Sequence, residues 1–393
     1  MIDHDWQPVK LGDIFVIASG GTPSKKHLEY YENGTVHWVK TGDLKNKFIY
    51  NTPDLITEEG LKNSSAKKFP IGTTLIAMYG ATIGACSILA IEAATNQACA
   101  AFLPNAKVQP AYFYAFLCSQ KNKFVNMGVG GAQPNISATI LKKVKMPLPP
   151  IETQKQIAAI LDKASQLIEL RKQQLAKMDL LIKSKFIAMF GDPVINSMGW
   201  DGIELAAVAN IVSGITKGRK TREQEMIAVP YMRVANVKDG HIDLSEIKMI
   251  SATISEIEQY ALEADDVLMT EGGDPDKLGR GAIWHYEFKD CIHQNHVFRV
   301  RLNKEKVNPQ YFAEYLKHPK AKQYFLRCAK QTTGIASINM KQLKALPILE
   351  PPIELQNKFA AFVDTVEQQK AVMQASLEKL EINYKSLMQQ YFG

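Results

Sequence analysis

Four residues between His285 and His296 are of the types that bind zinc: His285, Cys291, His293 and His296. A zinc site needs about four such ligands, commonly as two closely spaced pairs, and no second pair accompanies them. An alignment of the two halves of the chain also places Gln97 opposite His296 and Asn96 opposite Asn295. Since non-ligating residues stand at the same positions in the first half, we expect no zinc here.

The segment GDPDK, from Gly273 to Lys277, is similar to part of a metal-dependent nuclease core. Its acidic partner and an ExK element on a following strand are missing, and Asp-Pro with flanking glycines is typical of turns. The phosphate-binding loops GxGxxG and GxxxxGK[ST] are absent. LPPI and EPPI lack the Asn or Asp that precedes the prolines in adenine methyltransferases. The chain is therefore predicted to bind rather than to catalyse.

Length and composition limit the number of domains and the kinds of partner that the chain can have. A chain of 393 residues is long enough for two domains of about 150 residues each. Its net charge of +7 permits an anionic partner such as nucleic acid without requiring one. Five cysteines without a CxxC pair argue against a disulfide framework. No membrane span or export signal is recognised, so we expect a cytoplasmic protein.

The two halves of the chain repeat each other. Trp6, Leu11, Ser19, Gly20 and Thr22 recur in order as Trp200, Leu205, Ser213, Gly214 and Thr216. HWVKTGDL, from His37, matches PYMRVANV, from Pro230. The strongest match joins LPPIETQKQIAAILDKA, from Leu148, to EPPIELQNKFAAFVDTV, from Glu350, and both copies end at Phe-Gly. Because the landmarks keep their order, each copy is predicted to fold as one module.

Within each copy, short runs rich in Val, Ile and aromatic residues predict β-strands joined by Gly, Pro, Asn and Asp turns. Helices are predicted from Pro110 to Gln120 and from Pro309 to Ala329. A double proline then precedes a long helix in each copy, since proline fits a first helical turn but not a helix interior.

The long helices carry a repeating apolar pattern. From Phe359 to Tyr391 apolar residues alternate at spacings of four and three, and the same register runs from Ile157 to Met189. This pattern predicts a coiled-coil seam, in which Arg171, Lys185 and Lys370 either fix the register or snorkel. We expect the two helices to pack antiparallel about a pseudo-twofold axis, which brings the C-terminus near Trp6. Separate packing of each helix on its own domain is the alternative.

This order of features resembles the specificity subunit of type I restriction-modification systems over essentially the whole chain. The second copy departs from the usual turn, with GITKG where the first has GGTPS. The resemblance implies an α+β fold with two pseudo-twofold-related mixed α/β target-recognition domains separated by a long antiparallel two-helix coiled coil. The predicted segments are the first domain and its helix, residues 1–150 and 151–192, and the second domain and its helix, residues 193–350 and 351–393.

The resemblance also implies the function. Each domain would read one half of a bipartite, asymmetric double-stranded DNA site. The helices would set the half-site spacing and dock two adenine-N6 methyltransferase subunits, and restriction or translocase subunits would join them. S-adenosylmethionine, ATP and magnesium would bind the partner subunits, and this chain would be neither an enzyme nor a membrane protein.

Candidates for DNA contact were chosen by chemical type. Cationic side chains can contact phosphates, and amide, hydroxyl or guanidinium groups can contact base edges. In the first domain the candidates are Lys25, Lys26, Lys40, Thr41, Tyr79, Gln133 and Asn135. In the second they are Lys217, Arg219, Lys220, Arg222, Arg233, Asn236, Arg280, Gln331 and Ser337. For any single lysine, a solvated surface charge is the alternative. Trp6 and Trp200 are predicted to anchor the cores rather than to stack on bases.

Two other functions fit parts of the pattern. An adaptor could use the coiled coil to hold two ligand-binding heads, and genes for a methyltransferase and a helicase-nuclease beside this one would argue against it. A self-contained restriction-methylation enzyme would carry a methylation motif on the same chain, and the sequence has none.

Overall fold

Two copies of one arrangement of strands and helices make up the computed structural model. It describes residues 6–127, 135–218, 226–274, 278–332 and 335–393, without the side chains of residues 330–335. Unit 1 comprises residues 1–172 and 375–393, and unit 2 comprises residues 173–374, so each long helix contributes residues to both units and is given below with the unit in which it begins.

Unit 1 begins with a mixed α/β region. Its elements in chain order are β1 (Pro8–Lys10), α1 (Leu11–Ile14), β2 (Ile17–Ser19), β3 (Val36–Val39), β4 (Phe48–Ile49), β5 (Leu55–Ile56), α2 (Glu58–Lys62), β6 (Lys68–Phe69), β7 (Thr74–Ala77), β8 (Cys86–Leu89), β9 (Ala93–Thr95), β10 (Cys99–Phe102), α3 (Pro110–Ser119), α4 (Lys121–Met127), α5 (Ala138–Lys143), β11 (Lys145–Pro147) and the long helix α6 (Ile151–Phe190). The strands form a five-stranded sheet in the order β2-β10-β7-β8-β4, a four-stranded sheet β5-β3-β9-β6 and the pair β1-β11.

Unit 2 repeats this plan. Its elements are β12 (Gly202–Glu204), β13 (Ala209–Ser213), β14 (Ile227–Met232), β15 (Lys248–Ala252), α7 (Ile254–Tyr260), β16 (Val267–Thr270), β17 (Gly272–Gly273), β18 (Gly281–Ile283), β19 (Ile292–His293), β20 (Val297–Leu302), α8 (Pro309–Lys317), α9 (Pro319–Cys328), β21 (Lys330–Thr332), β22 (Ile335–Ser337), α10 (Met340–Lys344), β23 (Pro347–Leu349) and the long helix α11 (Ile353–Phe392). The sheet β13-β20-β16-β18 has the strand order of β2-β10-β7-β8, so the repeat predicted from sequence is also a repeat of topology.

The parallel strand pairs repeat as well. In unit 1, β3 pairs with β9 with Val39 opposite Thr95. In unit 2, β14 pairs with β19 with Met232 opposite His293. Unit 2 also has the small sheet β17-β22-β21. The paired strands of the common frame therefore recur in both units.

Each long helix starts directly after its double proline, as predicted, and a buried glutamine explains the rest of the motif. Gln154 accepts a hydrogen bond from Gln109 N (2.9 Å) and donates to the carbonyl oxygens of Lys107 (2.9 Å) and Pro149 (2.8 Å). Gln356 makes the corresponding three bonds with Asn308, Lys306 and Pro351. An amide that can both donate and accept thus fastens the loop before α3 or α8 to the start of the long helix.

The predicted seam is where the two long helices are least exposed. In unit 1, Ile157 and Leu161 near the start of α6 share a core with Tyr384 and Phe392 near the end of α11. In unit 2, Ile182 and Phe186 of α6 share a core with Phe359 and Val363 of α11. The helices are therefore antiparallel in each unit. Of the polar seam residues, Lys370 bonds Asp179 (2.6 Å) and Lys185 lies 5.4 Å from the centre of the Phe362 ring.

The tryptophans that start each copy pack against these cores, as predicted. Trp6 contacts the same unit 1 cluster as Phe392. Trp200 contacts the unit 2 cluster and donates its indole N–H to the carbonyl oxygen of Phe190 (2.9 Å). The expected proximity of Trp6 to the end of the chain is confirmed.

One predicted helix was wrong in its extent. The segment from Pro309 to Ala329 forms two helices, α8 and α9, with the break at His318. Pro319 explains the break, because a proline pushes the residue before it out of the helical region, and His318 has φ −79° and ψ 149°. None of the helices in the described part of the chain is apolar enough over a sufficient length to cross a membrane.

Candidate nucleic-acid interface

In unit 1, the turn between β9 and β10 is a meeting point of segments that are distant in sequence. We call residues 96–98 the central turn of unit 1. The Thr22 hydroxyl donates to Gln97 Oε1 at 2.5 Å. Met78 N, at the end of β7, donates to the carbonyl oxygen of Ala98 at 2.8 Å. The turn is thus held between the segment after β2 and the segment after β7.

This approach requires glycine at position 20. A Cβ added to Gly20 would lie 1.9 Å from the carbonyl oxygen of Thr95, which no side chain could occupy without moving the backbone. Glycine has no Cβ and is used where two backbones come this close. The Gly-Gly-Thr-Pro turn recognised in the sequence is therefore a docking segment for the central turn.

Two of the predicted site residues meet beside this turn. Tyr79 and Asn135 face each other in an antiparallel β-bridge, and Ile136 N donates to the carbonyl oxygen of Met78 at 2.9 Å. Tyr79 is 40% exposed and Asn135 is also exposed. Residues 56 positions apart in the chain are thus brought onto one exposed edge of unit 1.

The predicted cations of unit 1 differ in how available they are. Lys25 and Lys26 follow the docking segment and are exposed. Lys40 is half-buried, and its ammonium group lies 2.6 Å from Asp54 Oδ2 and 5.4 Å from the centre of the Trp38 ring. Thr41 starts a short 3-10 turn after Lys40. Lys25 and Lys26 are therefore available to an anion, whereas Lys40 already has a carboxylate partner.

Unit 2 has the same meeting point. We call residues 294–296, between β19 and β20, the central turn of unit 2. Asn295 N donates to the carbonyl oxygen of Ile215 (3.0 Å), and the Ser213 hydroxyl donates to the carbonyl oxygen of Asn295 (2.6 Å). Glycine is again required, because a Cβ at Gly214 would lie 1.9 Å from the carbonyl oxygen of His293.

The other side of this turn faces the end of β16. Glu271 N donates to the carbonyl oxygen of His296 at 3.0 Å. Gly272 pairs with Ser337 across β17 and β22 at the place that corresponds to the Tyr79–Asn135 bridge of unit 1. Ser337 is half-buried, and Lys217, after the Ser213 segment, is exposed. Two predicted residues thus lie on the elements that flank the turn.

Three other candidates in unit 2 are engaged within the protein. Asn236 is 2% exposed, and its amide donates to the carbonyl oxygens of Asp243 (2.8 Å) and Glu246 (3.0 Å). Arg233 bonds the same Glu246 through its carbonyl oxygen (3.0 Å) and its carboxylate (3.3 Å). Arg280 is half-buried, with one guanidinium nitrogen 3.5 Å from the carbonyl oxygen of Val234.

Asn236 makes a turn-stabilising hydrogen bond that recurs in unit 1. Arg233 N donates to Asn236 Oδ1 at 3.1 Å, and in unit 1 Lys40 N donates to Asp43 Oδ2 at 2.7 Å. Asp and Asn side chains commonly accept such bonds in turns. The side chain at this position therefore stabilises the turn that carries Lys40 or Arg233.

Several predicted residues lie outside the part of the chain that the structure describes. Gln133, Arg219, Lys220 and Arg222 fall in the undescribed ranges, and so do residues 275–277 of the GDPDK segment. Gln331 lies in β21 with its backbone opposite Ala336. These residues remain candidates on the strength of sequence alone.

The four residues of zinc-binding type, at positions 285, 291, 293 and 296, differ in their surroundings. His293 is fully buried, and its Nδ1 lies 2.7 Å from the carbonyl oxygen of Val297. Burial lowers the pKa of His293 to about 4, because a charged imidazole would lose its hydration. Cys291 is buried too, whereas His285 and His296 are exposed. Among the described residues, no group of three or more His, Cys, Asp and Glu side chains is arranged to hold a metal ion.

The side chains of the central turns were not among the residues predicted to contact DNA. The sequence alignment of the two turns was also wrong by one residue. Ala98 and His296 accept the equivalent hydrogen bonds from Met78 N and Glu271 N. Gln97 therefore corresponds to Asn295, and not to His296 as the sequence alignment had it. Polar amides between two apolar strands, in TNQAC and HQNHV, were the available signal.

Comparison with known proteins covers nearly the whole chain. Residues 3–179 and 198–382 each match the model of the type I restriction modification DNA specificity domain. The chain is 22% identical over 394 residues to the type I restriction enzyme EcoKI specificity subunit of Escherichia coli (strain K12), covering 94% of this chain and 85% of that protein. It is 26% identical over 407 residues to the MjaIX specificity subunit of Methanocaldococcus jannaschii, covering 98% and 90%.

Solved structures share the fold. The S subunit of a type-I restriction-modification system from M. genitalium has a TM-score of 0.58 at 14% identity, covering 100% of this chain and 98% of that one. A chain from a study of complex assembly and conformational transition of the type I R-M system has a TM-score of 0.61 at 16% identity, with the same coverage.

Proposed function

Since this chain belongs to the type I restriction modification DNA specificity family, we propose that each of its two units reads one half of a bipartite DNA sequence. The family recognises DNA rather than transforming it. In this proposal, adenine-N6 methylation and ATP-dependent cleavage are carried out by partner subunits. Those subunits bind S-adenosylmethionine, ATP and magnesium.

The main support for the proposal is that both units bring the same segments together around the central turn. In each unit, a turn between two buried strands is held by a glycine-dependent segment on one side and by the end of a neighbouring strand on the other. Exposed lysines follow the glycine segment in both units. Cations for phosphates and polar side chains for base edges are the groups that sequence-specific DNA binding needs.

The available residues divide into two roles. Lys25 and Lys26 in unit 1 and Lys217 in unit 2 are assigned to phosphate contact, because they are exposed. Tyr79 and Asn135 are assigned to contact with the groove, because they lie on one exposed edge beside the central turn. Lys40, Arg233 and Asn236 are assigned to support of the neighbouring turns, given their protein partners.

The long helices offer a docking surface for partner subunits. In unit 1, Leu170 of α6 is 55% exposed and Ile382 of α11 is 63% exposed. The ion pair between Lys172 and Glu381, at 2.8 Å, places these two turns side by side. Exposed apolar residues that lie close together favour a protein interface.

Unit 2 has the corresponding pair. Leu180 of α6 is 61% exposed and Val372 of α11 is 71% exposed, and the Lys370–Asp179 ion pair joins their turns at 2.6 Å. The sequence repeat aligns Val372 with Leu170 and Ile382 with Leu180. Equivalent surfaces on both units support docking of two identical subunits, which we take to be the methyltransferase subunits.

Single-molecule methylome sequencing tests the recognition function. Cells that contain this chain with its partner subunits should show one bipartite N6-methyladenine motif, and deletion of the chain should abolish that motif. A methylome that does not change on deletion, while the partner subunits remain active, would refute the proposal.

Docking is tested with the double variant Leu170→Asp and Ile382→Asp. We expect it to reduce co-purification of one methyltransferase equivalent while leaving the melting temperature of the chain close to the wild-type value. Val125→Asp, at an exposed valine of α4, is the matched control. Full co-purification of both equivalents by the double variant would contradict this assignment.

A further inference from the structure

The side chains of the two central turns point to a specific part of the recognition surface. We propose that residues 96–98 and 294–296 are base-reading turns, in which Gln97 of unit 1 and Asn295 and His296 of unit 2 contact base edges. This inference rests on the proposed DNA-recognition function and assigns residues to it that the sequence patterns did not.

Gln97 is exposed and held in one orientation. The Thr22 hydroxyl donates to Gln97 Oε1 at 2.5 Å, which leaves that oxygen a second lone pair. The amide nitrogen of Gln97 has no partner among the described residues. An amide with a donor and an acceptor side by side matches the N7 and N6 edge of adenine in the major groove.

Unit 2 presents a chain of three polar side chains at the same place. His296 Nδ1 lies 2.5 Å from Glu271 Oε2, and its side chain is 56% exposed. A carboxylate can only accept, so Nδ1 is the donor of this contact and Nε2 is the ring nitrogen that remains for a second hydrogen bond. Asn295 Nδ2 lies 3.4 Å from His296 Nε2. Glu271 is thus a positioning residue that acts through His296.

The backbone of both turns is held firmly. In unit 1, Asn96 N donates to the carbonyl oxygen of Val39 at 3.0 Å. In unit 2, Gln294 N donates to the carbonyl oxygen of Met232 at 2.9 Å. Each turn also joins a strand of one sheet to a strand of another. A reading group on such a support loses little entropy on binding, which favours a precise contact.

The two central turns have different polar side chains. Unit 1 has Asn-Gln-Ala and unit 2 has Gln-Asn-His on equivalent backbones. The His296–Glu271 pair of unit 2 corresponds to Ala98 and Met78 in unit 1, so the pair belongs to one unit only. Equivalent supports with different polar groups are expected to read different half-sites.

The test is selection from a library of random-sequence duplexes by the complete complex of this chain with its partner subunits. Wild type should enrich one bipartite sequence. Gln97→Ala should reduce the preference by about 10- to 100-fold at one or two positions of one half-site, the value of a bidentate base contact. Asn295→Ala and His296→Ala should do so in the other half-site only.

Two further sets of variants separate reading from folding. Asn295→Asp keeps the shape but replaces the amide donor with an acceptor, so it should change the preferred base. Glu271→Gln retains an acceptor for the histidine N–H and should preserve the preference, whereas Glu271→Ala should match His296→Ala. Asn122→Ala on α4 and Gln259→Ala on α7 change exposed amides away from the turns and are the controls.

The possible outcomes are distinct. A wild-type complex that enriches no sequence would refute the proposed function and this inference with it. A wild-type complex that enriches a bipartite sequence, together with an unchanged sequence for Gln97→Ala and Asn295→Asp, would overturn this inference alone. Changed preferences confined to the expected half-sites, at unchanged melting temperature and unchanged salt dependence, would support it.

Discussion

Mild acid should destabilise unit 2 through His293, and the effect can be isolated with one substitution. The His293 ring is fully buried beneath the central turn, and its Nε2 has no partner among the described residues. Burial lowers the pKa of His293 to about 4, and the hydrogen bond to the carbonyl oxygen of Val297 opposes this only in part. The equivalent position of unit 1 is Thr95, which has no charge to gain.

The size and direction of the effect follow from linkage. In the unfolded chain the imidazole takes up a proton below about pH 6.5, whereas in the folded unit it does so only near pH 4. Between these values the unfolded state binds more protons, so the free energy of unfolding falls as the pH is lowered. The difference between 6.5 and about 4, at about 1.4 kcal/mol for each pH unit, amounts to about 3 to 4 kcal/mol.

Hydrogen exchange read by mass spectrometry can follow the two units of the full chain separately. Protection of β19 and β20 should decline from pH 6.5 to 4.5 by more than that of β9 and β10, after correction for the intrinsic exchange rate. His293→Asn keeps a donor for the carbonyl oxygen of Val297, which His293 Nδ1 approaches to 2.7 Å, but does not titrate. It should remove the additional pH dependence whatever its effect at neutral pH.

Carboxylates that titrate in both proteins cancel in the difference between wild type and His293→Asn. The reasoning would be refuted if that difference in unfolding free energy were the same at pH 7.5 and pH 4.5. A change confined to unit 1 would contradict it equally.

Two further substitutions test the packing. Gly214→Ala should destabilise unit 2 by about 2 kcal/mol or more, because its Cβ would lie 1.9 Å from a carbonyl oxygen, and should weaken DNA binding. Gly42→Ala, with nothing within 4 Å of the added Cβ, is the thermal-unfolding control, and equal melting temperatures would contradict the account. Asp162→Asn should lower the unfolding free energy of unit 1 by up to about 1 kcal/mol, because it weakens the contact of Lys47 with α6 at 2.5 and 2.6 Å. Asp364 stands at the equivalent position of the repeat, where the described residues supply no partner, so Asp364→Asn should have no effect. Urea titration of both variants measures the two free energies of unfolding, and equal losses would contradict a stabilising role for the Lys47–Asp162 contact.

Features that depend on local chemistry could be predicted well. The double prolines set the first turns of α6 and α11, because proline is tolerated only there. The alternating apolar spacing gave the correct seam, because helical periodicity decides which residues share a face. The extent of α8 was missed although its cause, Pro319, is equally local.

The candidate site could be predicted only in part. Lys25 and Lys26 proved exposed, as cations after a tight turn usually are. The sequence gives no sign that Asn236 is buried, with its amide donating to carbonyl oxygens seven and ten residues away. Pairing of Lys40 with Asp54 likewise depends on the conformation of the chain between them.

The sequence alone determined that the chain is a duplication, where its long helices begin and which helix face is buried, because each of these follows from neighbouring residues or from direct repetition. Only the tertiary structure decided which segments meet. Thr22, Met78 and Gln97 come together because sheet register aligns their strands. Register depends on hydrogen bonds between strands far apart in the chain, and a displacement by one residue exchanges the two faces of a strand. A displacement of this size is the difference between the two alignments: the sequence pairs Gln97 with His296, whereas the structure pairs it with Asn295.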